Sequence, residues 1–168
     1  GTPRMFTREF PMPDGRARLV PVDHIGPSDQ LSPGAPLYLV TGRVLAQYQS
    51  GAQTRRVAEL QRSAPEPLVE VNPLLADLLG IEDGGWVRLE TARGEAFARA
   101  RLTDAVRLDT VFMPFHWSGK GSANRLTTDA TDPISGMPEF KVSAVRIEAC
   151  EGPGPEVTPS TTTGAVRG

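Results

Sequence analysis

One segment of this sequence alternates apolar and polar residues so regularly that it sets the fold class. In WVRLETA (86–92), Val87 and Leu89 fall on one face of an extended chain, with charged residues between and after them. Gly94 then stands at a position suited to a tight turn, and EAFARARL (95–102) alternates again. A period of two residues is typical of strands that bury one face, so the segment predicts a β-hairpin.

Four further segments have the length and apolar content of strands and are bounded by turn residues. They are LYLVT (37–41), LVEVN (68–72), DTVFMPF (109–115) and KVSAVRIE (141–148). Two short helices are predicted among them, over 54–62 and 74–79. The alternation of strands and helices is too sparse for a doubly wound sheet, and it favours a mixed β-barrel.

The second helix has start and stop signals of its own. Asn72 is suited to cap its first turn, and Pro73 suits the first helical position. Gly80 follows the apolar run LLADLL and predicts the end of the helix.

The two ends of the chain differ in composition from its middle. The first 36 residues contain seven prolines, a density that opposes regular helix. We predict an irregular lead-in over 1–36 packed on the barrel, a barrel domain over 37–149, and a disordered tail or linker over 150–168, which is rich in Pro, Gly and Thr. The sequence begins with Gly and not with an initiator Met, which indicates a fragment of a longer chain or residues added for expression, and we favour the fragment.

Composition excludes several other classes of protein. The 168 residues carry a net charge of −2, which does not suggest non-specific binding of nucleic acid. The single cysteine, Cys150, has no partner for an internal disulfide, and with two histidines it leaves little for a soft-metal site. No apolar run reaches the roughly 18 residues of a membrane span. We predict neither metal ligands nor catalytic residues in this chain.

The stretch from 37 to 57, LYLVTGRVLAQYQSGAQTRRV, is rich in hydrogen-bond donors and contains no Asp or Glu. Such a stretch can bind anionic oxygens, and glycines within it let the backbone approach a ligand. We predict that Gly42 also allows a sharp turn at the end of the strand. The predicted start of the helix at Gln53 and Thr54 would offer free N–H groups to a phosphate. The structural alternative is a buried strand, a polar loop and a helix with a solvated basic face. The candidate ligand-binding residues are Thr41, Gly42, Arg43, Gln47, Gln49, Ser50, Gly51, Gln53, Thr54 and Arg55.

A second stretch, PFHWSGKGSANRLT (114–127), combines aromatic rings with an amide side chain. Phe115 and Trp117 suit stacking on a flat heterocycle, although both also suit the barrel core. For His116 we weigh a catalytic base against a rim histidine that is merely hydrogen-bonded, and we favour the second.

Three stretches together resemble one known family. They are TGRVLAQYQSGAQTRR (41–56), VNPLLADLLGIEDGGWVRLETARGEAFARA (71–100) and VFMPFHWSGKGSANRLTTDATDPISGMPEFK (111–141). The resemblance is to the C-terminal pterin-dinucleotide-binding domain of the molybdenum oxidoreductases related to dimethyl sulfoxide reductase. Within that family, ANRLTTDATDPISGMPEFK and RMFTREFPMPDGRARLVPV are most similar to assimilatory nitrate reductases.

The resemblance implies a mainly β fold with short helices, a six-stranded double-psi β-barrel that clamps bis-molybdopterin guanine dinucleotide. It places Asn124 and Lys141 against the cofactor, and Asn72 near the guanine. Lys141 also suits an exposed lysine at a strand end, and helix capping also explains Asn72. It implies that the intact enzyme reduces nitrate to nitrite, with a [4Fe–4S] cluster upstream and an electron-donor protein or domain as partner. The isolated domain would be inactive, and the cytoplasm is favoured over the periplasm.

Two alternatives stay open at this point. One is the same domain from a formate dehydrogenase or another oxidoreductase of the family. The other is a double-psi barrel that serves as a binding module without redox chemistry.

Overall fold

A computed structural model describes residues 3–154, and six strands within them close into a barrel. Around the barrel the strands follow the order β1, β5, β2, β4, β3, β6. Their bounds are β1 Leu37–Gly42, β2 Leu68–Val71, β3 Trp86–Thr91, β4 Gly94–Leu102, β5 Thr110–Pro114 and β6 Val142–Ala149. The pairs β1–β5 and β2–β4 are parallel, and the remaining neighbours are antiparallel. The predicted six-stranded double-psi β-barrel is confirmed.

The core fills the barrel from alternate positions of every strand. In β3 the predicted inward residues Val87 and Leu89 have no solvent exposure, and in β6 Val145 and Ile147 are buried beside them. Burying such a side chain stabilises a fold by about 1.5–3 kcal/mol. Thr41 is the polar exception among the inward residues of β1, and its hydroxyl donates to the Phe140 carbonyl oxygen at 2.7 Å.

The outer face of β3, β4 and β6 carries a network of opposite charges. Arg88 lies 2.6 Å from Glu148 and 3.3 Å from Glu95, and Arg146 lies 2.5 Å from Glu90. The hydrogen bond from Arg146 lowers the pKa of Glu90. The charged positions of the predicted hairpin therefore face outward and join neighbouring strands to one another.

Helix α2, Pro73–Leu79, begins and ends as the sequence predicts. The Asn72 side chain accepts a hydrogen bond from the backbone N–H of Leu74 at 3.0 Å. Gly80 adopts a left-handed conformation with φ of 64°, and the N–H of Ile81 donates back to the Ala76 carbonyl oxygen at 2.9 Å. These bonds form a Schellman-type end, which satisfies the last carbonyls of the helix.

The helix predicted over 54–62 is wrong as a single element. A 3-10 turn at Thr54–Arg56 and helix α1, Ala58–Ser63, flank Val57, whose backbone is extended with φ of −94° and ψ of 113°. All residues of α1 keep partial or full exposure, and Val57 is also exposed. The predicted apolar stripe is too short to bury a helix face, so nothing requires one continuous helix.

The lead-in, residues 3–36, contains no helix or strand, and most of its residues are exposed. Asp29 ties it to the barrel by accepting hydrogen bonds from Arg93 and from the N–H of Ala144. At the other end, the N–H of Cys150 donates to the Trp86 carbonyl oxygen at 2.9 Å. The tail predicted as disordered lies, from residue 155 onward, outside the described residues. Among residues 3–154, no helix is long and apolar enough to cross a bilayer.

Candidate functional site

Three strand ends meet at one rim of the barrel, which we call the barrel mouth. It consists of the ends of β1 and β5 and the residues that precede β6. The N–H of Thr41 donates to the Lys141 carbonyl oxygen at 3.1 Å, and the N–H of Phe115 donates to the Gly42 carbonyl oxygen at 3.2 Å. The fold thereby brings together residues that lie about 70 to 100 positions apart in the sequence.

Two cationic side chains approach the same aromatic ring at the mouth. The Arg43 guanidinium lies 5.7 Å from the centre of the Phe115 ring, and the Lys141 ammonium lies 5.5 Å from it. Lys141 also lies 4.9 Å from the centre of Phe140, whose ring meets Phe115 edge-on. Phe115 itself is partly buried and packs against the barrel core. Such contacts stabilise a cation by about 0.5–1 kcal/mol at exposed sites.

The loop over residues 43–55 rises from the mouth and folds around His116. His116 has no solvent exposure, and its Nε2 accepts a hydrogen bond from the N–H of Val44 at 2.9 Å. The His116 Nδ1 lies 2.5 Å from the carbonyl oxygen of Gln49. Arg55 donates from its guanidinium to the backbone carbonyl oxygen of His116. The predicted hydrogen-bonded histidine is therefore present, but it is buried under the loop and does not stand at the rim.

The inside of the same loop is filled by polar groups that bond one another. Gln47 is buried; its amide nitrogen donates to the Ala64 carbonyl oxygen at 3.2 Å, and its amide oxygen accepts from the Thr54 hydroxyl at 2.6 Å. The Thr54 hydroxyl oxygen also accepts from the N–H of Tyr48 at 3.1 Å. Gln47, Thr54 and Arg55 thus hold the loop together, and the direct ligand contacts predicted for them remain predictions.

The helix start predicted at Gln53 and Thr54 is a single 3-10 turn. One turn of this kind has too few aligned peptide units for an appreciable dipole. The reason for expecting a phosphate at that position therefore does not hold, although the exposed side chains of Gln49, Ser50 and Gln53 remain available to a ligand.

Two glycines of the site are required for different reasons. The φ of Gly51 is 72°, and a Cβ there would lie 2.6 Å from Arg55 Nη1 and 3.0 Å from the His116 carbonyl oxygen. Gly42 was predicted to allow a sharp turn, but it continues β1 with an ordinary φ. The ring of Phe112 occupies its side-chain space, because a Cβ on Gly42 would lie 2.5 Å from that ring.

Three other predicted residues stand apart from this cluster. Glu70 of β2 pairs with Phe112 of β5 in antiparallel register, which places Asn72 at the end of the barrel opposite to Gly42. Asn72 there caps α2 and donates to the Val106 carbonyl oxygen at 2.9 Å.

The other two lie in the segment that follows β5. Asn124 is exposed on the 3-10 turn Ala123–Arg125. Trp117 meets His116 edge-on, with 5.8 Å between ring centres, and its indole Nε1 is buried without a hydrogen-bond partner among the described residues.

Comparison with known proteins decides the family. A family model described as "Molydopterin dinucleotide binding domain" matches residues 37–144. The chain is 42% identical over 149 residues to the assimilatory nitrate reductase catalytic subunit of Bacillus subtilis (strain 168). The aligned region covers 88% of this chain and 21% of that protein.

The chain belongs to the molybdopterin dinucleotide-binding domain family.

Two further proteins are similar to a lesser degree. The F420-dependent formate dehydrogenase subunit alpha of Methanocaldococcus jannaschii is 37% identical over 148 residues, covering 88% of this chain and 22% of that protein. The structure of acetylene hydratase from Pelobacter acetylenicus superposes with a TM-score of 0.60 at 22% identity, over 69% of this chain and 18% of that chain. This last likeness concerns the fold. The chain spans about a fifth of the length of these relatives.

The mouth of this molybdopterin dinucleotide-binding domain has the chemistry that such a cofactor needs. A pterin dinucleotide combines flat heterocycles with phosphates, and at the mouth two cations, Arg43 and Lys141, approach the ring of Phe115. The residues present therefore fit the cofactor.

Sequence reasoning missed one member of the site and the partners of another. Phe140 was not among the candidate residues, yet its ring borders both Lys141 and Phe115. The hydrogen bonding of His116 was predicted without its partners, because Val44 and Gln49 lie about 70 residues earlier in the chain. A histidine directly after a buried strand and between two aromatic residues is a signal of burial that sequence reasoning could have used.

Proposed function

We propose that the barrel mouth holds the phosphate-bearing part of bis-molybdopterin guanine dinucleotide in a molybdenum-dependent nitrate reductase, which reduces nitrate to nitrite. The observation that carries this proposal is the approach of Arg43 and Lys141 to one aromatic ring, at 5.7 and 5.5 Å. Cations in this arrangement bind phosphate oxygens, while the ring packs against a pterin.

Each part of the mouth has a separate task in this proposal. Arg43 and Lys141 neutralise the phosphates, and charge-assisted hydrogen bonds of this kind contribute about 1.5–3 kcal/mol each. Phe115 packs against the pterin, and Gln49, Ser50 and Gln53 of the adjoining loop offer uncharged donors and acceptors to its edge. Trp117 and Asn124, which stand apart from the mouth, would contact another part of the cofactor. When bound, the cofactor supplies the redox-active molybdenum, and the chain contributes position and electrostatics.

We propose nitrate as the first candidate substrate, because the chain is 42% identical to an assimilatory nitrate reductase catalytic subunit. Formate is the second candidate, because formate dehydrogenase subunits are 37% and 36% identical to this chain. Assaying the full-length protein with both substrates distinguishes the two. Reduction of nitrate without oxidation of formate supports the first, and the reverse result supports the second.

The remainder of the parent polypeptide completes the enzyme in this proposal. We expect it to hold the protein ligand of molybdenum and a [4Fe–4S] cluster, to receive electrons from a donor protein or domain, and to act in the cytoplasm. The chain alone is then inactive and serves as a cofactor clamp.

The test is to replace Arg43, Lys141 or both with Ala in the full-length protein. We measure molybdenum and guanine nucleotide released per polypeptide. Each single substitution removes one cation near the phosphates, so we expect retention of the cofactor to weaken by about tenfold or more. The double variant should lose most of its cofactor.

Arg62→Ala is the matched control, because Arg62 is an exposed cation of α1 that pairs with Glu59. We expect it to retain the full cofactor content. Full occupancy in the double variant would contradict the proposed role of the mouth.

A further inference from the structure

His116 occupies an unusual place for a histidine that follows a strand. Its side chain has no solvent exposure, and it lies beneath the 43–55 loop with both ring nitrogens engaged. Phe115 and Trp117 flank it, with ring centres 5.2 and 5.8 Å away. Since neither nitrogen is open to solvent, His116 cannot act on a substrate directly.

The hydrogen bonds define which nitrogen carries the proton. A backbone N–H only donates, so Nε2 must accept from Val44 and is unprotonated. Nδ1 then carries the hydrogen and donates it to the carbonyl oxygen of Gln49. A neutral ring in this tautomer therefore links Val44, at the start of the loop, to Gln49, near its centre.

The bond to Gln49 supports a costly backbone conformation. Gln49 has a φ of 49°, in the left-handed region that non-glycine residues rarely adopt. Such a conformation persists where surrounding contacts hold it, and it is common at ligand sites. Arg55 adds a second contact from the other end of the loop, by donating to the His116 carbonyl oxygen.

The same residue leads directly to the mouth. The Gln49 side-chain oxygen accepts a hydrogen bond from Arg43 Nη2 at 3.3 Å. A continuous set of contacts thus runs from His116 through Gln49 to the guanidinium that lies over Phe115. Because the Gln49 side chain accepts a hydrogen bond from Arg43, holding the Gln49 backbone in place also restricts the position of the Arg43 guanidinium.

We propose that His116 is a positioning residue, which prearranges the 43–55 loop so that Arg43 and the amide of Gln49 face the anionic cofactor. The inference rests on the proposed function of the mouth. A loop ordered before binding spares the ligand the cost of ordering it, and this raises affinity without a new contact.

Three substitutions in the full-length protein separate the two hydrogen bonds. His116→Gln keeps an acceptor near the position of Nε2, and His116→Asn keeps a donor near that of Nδ1. His116→Phe keeps a ring and removes both bonds. Val87→Ala is the matched control, because Val87 is equally buried but lies in β3.

We measure hydrogen exchange of peptides covering 43–55 and the guanine nucleotide released per polypeptide. Losing both bonds in H116F should raise exchange of the loop and weaken retention of the cofactor, each by on the order of tenfold. H116Q and H116N should each restore part of both properties. V87A should lower the melting temperature and leave loop exchange and cofactor content unchanged.

The outcomes distinguish this inference from the proposed function. A wild-type protein that releases no guanine nucleotide overturns the proposed function. A wild-type protein with cofactor, together with an H116F variant of equal content and equal loop exchange, overturns only the role of His116. If V87A and H116F lose equal amounts of cofactor, and hydrogen exchange rises throughout the barrel in both, the effect is purely structural. That result also overturns the positioning role of His116.

Discussion

Gly42 shows how a single residue can be required by a neighbour that the sequence does not reveal. It ends β1 in an ordinary extended conformation, yet the Phe112 ring of β5 fills the space beside it. The two strands run parallel here, with Gly42 paired to Pro114 and Val40 paired to Phe112. A large ring and an absent side chain thus complement each other on the outer face of the barrel.

We expect Gly42→Ala to lower the free energy of unfolding by about 1–3 kcal/mol, because a Cβ would overlap the Phe112 ring. Gly34→Ala is the control, since a Cβ on Gly34 would have no heavy atom within 4 Å. Urea unfolding of both variants measures the difference. A G42A variant as stable as G34A would show that the ring moves aside freely.

Helix α2 is the element whose local signals and tertiary contacts agree best. The Asn72 side chain accepts from the Leu74 N–H and donates to the Val106 carbonyl oxygen. One amide therefore starts the helix and joins it to the segment before β5. These two hydrogen bonds explain the presence of Asn at position 72 without a contact to a ligand.

We expect Asn72→Ala to lower the free energy of unfolding by about 1–2 kcal/mol, through loss of the cap and of the bond to Val106. Asn72→Asp keeps an acceptor for the cap, so it should lose less. Urea unfolding of the chain and cofactor analysis of the full-length protein provide the two readouts. Unchanged stability with lower cofactor content would instead favour the guanine contact that the resemblance implies.

At the scale of the whole molecule, Asp29 joins parts of the chain that are far apart in sequence. Its carboxylate accepts from Arg93 at 2.6 Å and from the N–H of Ala144 at 2.8 Å. Arg93 also donates to the Leu126 carbonyl oxygen at 2.9 Å. The lead-in, the β3–β4 turn, the segment after β5 and strand β6 therefore meet at one ion pair.

Burial raises the pKa of Asp29, but the hydrogen bonds from Arg93 and Ala144 outweigh it and leave this pKa below its usual value. A lowered folded-state pKa stabilises the fold above the unfolded value of about 3.9, and this stabilisation is lost as the pH falls through the folded value. The ionised carboxylate is thus the stabilising form.

We expect Asp29→Asn to lower the free energy of unfolding by about 1 kcal/mol at pH 7, because the pair is only partly shielded from solvent. The difference in unfolding free energy between the two proteins should begin to narrow below about pH 4, where the unfolded carboxylate binds a proton, and it should vanish as the pH falls through the lower pKa of the folded state. Urea unfolding between pH 3 and 7 measures it, with the exposed Asp23→Asn as control. A difference that does not change with pH would contradict the ion pair.

Local patterns in the sequence determined the β3–β4 hairpin and helix α2. Alternation with period two identifies the buried face of a strand, and a cap, a proline and a glycine mark the ends of a helix, so neighbouring residues suffice. The motifs that carry the family resemblance likewise placed Thr41, Arg43, Phe115 and Lys141 in the site. The fold brings these four together at the barrel mouth.

Only the tertiary structure decided which strands pair and what each polar group of the 43–55 loop contacts. Period-two alternation distinguishes inside from outside but does not name a partner strand, so the sequence did not reveal that Phe112 covers Gly42. Nor did it reveal that His116 is buried under Val44 and Gln49, since a hydrogen bond across about 70 residues leaves no local pattern. Closure of the barrel creates these contacts, because it brings distant strand ends to one rim.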